Sequence, residues 1–218
     1  MIELFRKAAM IGDVWVIWLL VAASVASVGV MIERWRAYKK EAVDFETLLL
    51  AIGSRLEAGD LAGARAAAVA APGLEGRVAL AGLECVGKGA ASVSEAMQAR
   101  LILERSRLEK NLIFLGTLGN NAPFVGLFGT VLGVIKAFND LAVSGGSGAA
   151  VVMAGISSAL VATAFGILVA IPAVAANNAF QTTLKRKCAN AQSLIHALLS
   201  HIKDERRRRA AEPERTSA

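Results

Sequence analysis

Between Asn111 and Leu184 the chain carries only two charged side chains, Lys136 and Asp140, four residues apart. A hydrocarbon layer of about 30 Å takes roughly 20 helical residues to cross. The stretch is therefore long enough for two crossings, with its charges at the turn between them. It is not uniformly greasy, because Pro123, Thr130, Thr163 and Pro172 stand in it among many glycines. Apart from the turn it offers no Asp, Glu, His, Lys or Arg, so nothing in the two crossings themselves can hold a proton as a titratable group.

The composition agrees with a membrane chain. Hydrophobic residues make up 55% and the mean hydropathy is +0.52, both high for a chain that must stay in water. The excess lies in three uncharged runs: about 19 residues from Val14 to Ile32, about 25 from Asn111 to Ile135 and about 44 from Leu141 to Leu184, so three spans are expected. The first run could instead be a cleaved signal, with Arg6 and Lys7 before it and small residues at Ala23–Ser27. Its length exceeds the ~7 to 15 apolar residues of a signal, and a basic flank follows it, so an uncleaved anchor is expected.

Orientation follows from the basic residues. Segment 1–13 holds two and the turn near Asp140 holds Lys136, whereas 33–110 holds twelve and 185–218 holds nine. The positive-inside rule puts the N-terminus and the turn outside, in the periplasm, and the middle segment and tail in the cytoplasm. The Arg206–Arg209 run reads as a lipid-headgroup contact, since no aromatic residues interleave for base stacking. Lipid is thus an expected partner and nucleic acid is not. Cys85 and Cys188, distant and without a CxxC, read as reduced thiols. His196 and His201 are five apart, missing the i, i+4 spacing of a helical metal pair, so no metal site and no cofactor is expected.

The resulting fold class is all-α: three transmembrane helices, a small helical cytoplasmic domain and long cytoplasmic helical extensions. The expected organisation is a periplasmic N-terminus at 1–13, spans at 14–32, 111–137 and 149–176, a cytoplasmic helical domain at 33–110 and a periplasmic turn at 138–148. A cytoplasmic helical extension follows at 177–209, then a disordered tail at 210–218, which lacks an apolar anchor. Within 33–110, which holds twelve basic and eleven acidic residues, Gly53, Gly59, Gly63 and the Ala71-Pro72-Gly73 turn suggest helices over 41–58, 60–71 and 74–87. Ser92 and Glu95 read as a capping box. The helix they open is expected to run unbroken to about Asn139.

Small residues recur on one face of each later span. Pro123, Gly126, Thr130 and Gly133 lie three or four apart, with Gly129 beside them, and Gly155, Ala159, Thr163, Gly166 and Ala170 form a comparable set. Such spacing lets helix backbones approach closely in lipid. Each face also carries one hydroxyl, which suggests a polar, partly hydrated lining. Pro123 and Pro172 each remove a backbone donor, implying a kink or loosened turn. Asn120, Asn121, Asn177 and Asn178 fall at the same inner level, placed to bond freed carbonyls or water, or only to mark the membrane edge.

The run Ala122-Pro123-Phe124-Val125-Gly126-Leu127-Phe128-Gly129-Thr130-Val131, then Gly133 and Phe138, resembles the TolQ/ExbB/MotA proton-channel family. So do Gly155-Ile156, Ala159-Leu160-Val161-Ala162-Thr163-Ala164-Phe165-Gly166 and Ala170-Ile171-Pro172-Ala173, and Glu33-Arg34 after the first span also fits. Three spans are closer to the TolQ/ExbB branch than to the four-span MotA branch. The resemblance implies a homopentamer whose second and third spans enclose two copies of a single-span ExbD/TolR-like partner, each bringing a membrane aspartate. It implies proton flow past Thr130 and Thr163 that drives mechanical work, with a TonB/TolA-like or gliding effector as a further partner. Where enteric TolQ and ExbB place a glutamate, this chain has Ser158, a hydroxyl that cannot accept a proton at neutral pH as a carboxylate does.

The expected function is thus a non-enzymatic, pore-forming stator subunit of a proton-driven motor in the bacterial inner membrane. It would energise outer-membrane uptake, envelope maintenance or gliding. The competing expectation is a non-conducting oligomeric scaffold in which the small faces serve packing alone. A secondary transporter is disfavoured, since three spans without an inverted repeat or a membrane charge offer no binding site.

Overall fold

The computed structural model describes residues 14–143 and 148–211, with side chains placed through Asp204. Segment 1–13, residues 144–147 of the turn, the Arg206–Arg209 side chains and the tail from 212 lie outside the described residues. The elements are all helical: α1 (Val14–Lys40), α2 (Phe45–Glu57), α3 (Leu61–Ala70), α4 (Leu74–Glu84), a 3-10 turn (Val86–Lys88), α5 (Ala90–Glu109), α6 (Leu112–Val143) and α7 (Ala149–Ala211). Three of the helices are long and apolar enough to cross a membrane, as the three uncharged runs required. At 1.5 Å per residue the 63 residues of α7 extend about 95 Å.

The chain divides into two compact units. The first combines α1 as far as Arg34 with Asn111–Ala179. Its interior is Val16, Leu20, Ala122, Leu132, Val169 and Ala170, against which Leu118, Val125, Phe128 and Phe165 pack. Trp15 meets Phe128 edge-on at 6.2 Å, the arrangement that ring quadrupoles favour. Its exterior is as apolar as its interior: Trp18, Phe124, Leu168 and Ile171 are each more than 60% exposed. Such a surface suits lipid or other apolar helices rather than water.

The second unit joins Trp35–Lys110 to the chain from Phe180 onward. Tyr38 stacks on Phe180 at 5.3 Å and donates its hydroxyl to the Leu108 carbonyl at 3.2 Å. A buried ion network crosses this core. Arg77 bonds Glu41 at 2.7 Å and Glu104 at 2.8 Å, and Lys187 of α7 donates to the Glu41 carbonyl at 2.6 Å and reaches Glu75 at 3.3 Å. Glu75 is 1% exposed and Lys187 6%, so each charge depends on its partner.

Four local expectations are corrected. The helix thought to run unbroken from Ser92 to Asn139 stops at Glu109 and restarts at Leu112. Asn111 sits between them at φ 63°, a left-handed conformation that asparagine tolerates better than most side chains. Its amide then reaches Glu33 Oε2 at 2.8 Å, which fixes the turn. The Ser92–Glu95 capping box is not used, because α5 begins at Ala90 after Gly89, whose φ of 100° sets the boundary. Gly53 breaks nothing, lying inside α2. The start expected at 41 moves to Phe45, where Asp44 is the N-cap and accepts a bond from the Thr47 hydroxyl at 2.6 Å. That bond holds the Asp44 carboxyl below its ordinary value.

Candidate functional site

Within the first unit, α6 and α7 meet along a seam of small residues. A Cβ placed on Gly126 would lie 2.7 Å from the Ala162 carbonyl oxygen and 3.2 Å from Gly166 Cα, and one on Gly166 would lie 2.6 Å from the Ala122 carbonyl. The two backbones touch, and neither position has room for a side chain. A Cβ on Gly129 would meet Ala162 at 2.8 Å and Val16 of α1 at 3.0 Å, one on Gly155 would meet the Ala137 side chain at 2.5 Å, and one on Gly119 would meet Val174 at 2.5 Å. Gly133 is also buried. The faces read from spacing are therefore one joint surface.

Close approach brings the two threonines together. Thr130 and Thr163 are hydrogen-bonded through their hydroxyls, and Thr130 Oγ1 also lies 3.2 Å from the Gly126 carbonyl and 3.3 Å from the Ala159 carbonyl. A hydroxyl has one hydrogen and two lone pairs, so Thr130 can donate to only one of three acceptors at a time. When it turns to a carbonyl, Thr163 can donate to it; when it turns to Thr163, that residue must direct its own hydrogen elsewhere. The pair is a two-state donor–acceptor unit, half-buried and walled by backbone. Such a unit can orient water or hand a proton to a neighbour without carrying a charge itself.

The remaining predicted residues divide. Ser158, beside the buried Ala159, is exposed on α7 and outside the seam, because five residues along a helix turn a side chain through about 140°. The helices continue through Pro123 and Pro172; Pro123 is half-buried and Pro172 exposed. Asn120, Asn121 and Asn178 are exposed, whereas Asn177 is half-buried. The Asn121 amide donates to the Thr117 carbonyl at 2.7 Å, not to the Gly119 carbonyl that Pro123 leaves without its helical donor. Asn177 Oδ1 is buried and accepts no hydrogen bond among the described residues, a state that costs about 1–3 kcal/mol in an apolar setting.

Lys136 and Asp140 form an i, i+4 ion pair at 2.8 Å on α6. Gly116, Gly119 and the Ala122 and Ala162 carbonyls were not singled out by sequence. The signal for the glycines was present, since residues 116, 119, 122 and 126 continue the same three-and-four spacing below Pro123.

Comparison with known proteins points the same way. Residues 70–193 match the profile of the MotA/TolQ/ExbB proton channel family. The chain is 47% identical over 88 residues to the Tol-Pal system protein TolQ of Pseudomonas aeruginosa, covering 40% of this chain and 38% of that protein. It is 54% identical over 71 residues to the biopolymer transport protein ExbB of Helicobacter pylori, covering 33% and 49%. Against ExbB of Pseudomonas putida it is 40% identical over 102 residues, covering 45% and 31%. The match thus spans half or less of the length of each relative. Taken with the paired threonines on a charge-free glycine seam and three helices long enough to span a bilayer, the profile match over more than half its length means that this chain belongs to the MotA/TolQ/ExbB proton channel family.

Proposed function

We propose that the chain is the pore-forming subunit of a motor in the bacterial inner membrane, driven by the proton-motive force. Five copies surround two single-span ExbD/TolR-like partner chains, each supplying the carboxylate that the spans of this chain lack. The N-terminus faces the periplasm and the long end of α7 the cytoplasm, in accord with the distribution of basic residues. The machine energises outer-membrane uptake, envelope maintenance or gliding through an effector held by the partner.

The observation that carries this reading is the Thr130–Thr163 hydroxyl pair in a seam built from glycine and alanine. Packing alone would be served as well by Ala or Val at those positions. Hydroxyls that can reverse their donor direction suit the delivery of a proton to a partner aspartate and its removal. Each proton crossing releases about 2.3 kcal/mol per 100 mV, which the partner must couple to movement. The test is Thr163→Val in the complex reconstituted with its partner. Proton flux and dependent work should be lost while the assembled mass is unchanged; full flux in that variant rejects the proton path in favour of a packing scaffold.

A further inference from the structure

α1 and α6 leave a groove of about 250 Å³ between them, wholly within the first unit. Its floor is the buried Leu20 and Ala122. Leu19 and Ala23 form the α1 wall, and along α6 the groove extends from Phe114 to Val125. Leu19 and Phe114 are exposed, so it opens onto the apolar exterior of the unit. Of the two polar residues that line it, Thr117 and Asn121, Asn121 gives its amide to the Thr117 carbonyl of its own helix at 2.7 Å. The rest of the lining is hydrocarbon, which suits an apolar ligand.

The dimensions of the groove choose among apolar ligands. From Phe114 to Val125 is about 17 Å of helix, close to half of a hydrocarbon layer of about 30 Å. Phe114 lies within the first turn of α6, which starts at Leu112, so the groove runs from the edge of the layer to its middle. Spread over that length, its volume is a slot a few ångströms wide. That is too narrow for a helix of about 10–12 Å and matches a single hydrocarbon chain. The proposed assembly, with α6 and α7 around the partner chains, leaves the α1 side to lipid.

We propose that the groove holds one acyl chain of a phospholipid, with the headgroup at the Phe114 end and the terminal methyl near Val125. Filled in this way, Leu20 and Ala122 keep apolar contacts that a void would forfeit. The lipid belongs to the inner leaflet, because the proposed function puts the start of α6 on the cytoplasmic side. The leaflet therefore rests on that reading, whereas the bound chain rests on the shape and lining of the groove.

The probe is a phosphatidylcholine bearing a diazirine on one acyl chain, doped into phosphatidylethanolamine and phosphatidylglycerol liposomes that hold the full chain in its assembled state. After irradiation, peptide mapping should place the label on α1 near Ala23 and on α6 between Phe114 and Val125. Ala23→Trp fills the slot and should lower that labelling about tenfold, the loss for two methylenes kept from burial. Val25→Trp, at an exposed position outside the groove, should leave it unchanged. A wild-type groove without label, or equal labelling of wild type and a normally assembled Ala23→Trp, overturns the acyl-chain site. So does disulfide-linked dimer formation by Ala23→Cys in a Cys85→Ser, Cys188→Ser background, which places a second copy in the groove. A diazirine near the carbonyl should label toward Phe114 and one at the chain end toward Val125. The reverse order overturns the inner-leaflet assignment and the orientation proposed above. Proton conduction is read separately, by Thr163→Val.

Discussion

Gly126 and Gly166 meet backbone to backbone, so that a Cβ on either would come within about 3 Å of the other's Cα, at 3.2 and 3.1 Å. This contact sets the distance between α6 and α7, and so places the Thr130 hydroxyl within reach of both Thr163 and the Ala159 carbonyl. The position of the polar pair is a consequence of the absence of two side chains.

Enlarging that contact should be costly. Gly126→Ala and Gly166→Ala each force a methyl against a carbonyl oxygen, and overpacking of this kind costs about 1–3 kcal/mol. Leucine at either position should prevent the helices from pairing. Gly29→Ala, where a Cβ meets nothing within 4 Å, is the control. Thermal unfolding of the detergent-solubilised chain checks the order, and equal melting of all three alanine variants would contradict it.

The hydroxyls themselves should matter little to stability. Thr130→Val keeps the shape and loses hydrogen bonds whose net worth is about 1 kcal/mol, so the chain should fold and assemble. Proton-dependent work should nevertheless be lost, and Thr130→Ser should recover much of it. A parallel fall in assembly and activity on native mass measurement would instead assign the threonines to packing.

In the second unit, Lys187→Met leaves the Glu75 carboxylate buried without a cation and should destabilise by about 3–5 kcal/mol. Adding Glu75→Gln to that variant removes the orphaned charge and should recover a large part of the loss. Chemical denaturation of the single and double variants measures the coupling; additive losses would show that the two side chains act independently.

Asn111→Gly should be tolerated in backbone terms, because glycine adopts the φ of 63° freely, whereas Asn111→Ala should cost about 1–2 kcal/mol for a left-handed alanine. Both lose the bond to Glu33, so the difference between them isolates the conformational part. Identical melting of the two variants would show that the turn is free to rearrange.

Burial pushes the Cys188 thiol above its ordinary value, with the Arg105 guanidinium working against the shift. Its reactive thiolate is therefore scarce at neutral pH. In a Cys85→Ser background, alkylation by iodoacetamide at pH 7.5 should be slower than for a small free thiol. The rate should climb as pH rises through the thiol's raised value; a rate already level at pH 7.5 would contradict the shift.

The uncharged runs by themselves determined the number of spanning helices and the helical class, because a backbone in lipid must satisfy its own hydrogen bonds and twenty apolar residues leave few other solutions. The three-and-four spacing of Gly126, Thr130, Gly155 and Thr163 likewise announced two close-packing faces. What it could not show was that these faces meet each other, since spacing orders residues on one helix and is silent about the partner. Tertiary structure decided that. It joined the threonines, left Ser158 on the outside, and turned Asn177 alone of four asparagines into the seam. It also joined Lys187 to Glu75 across 112 residues, a pairing invisible in the sequence because attraction between buried charges depends on distance in space and burial, not on order along the chain.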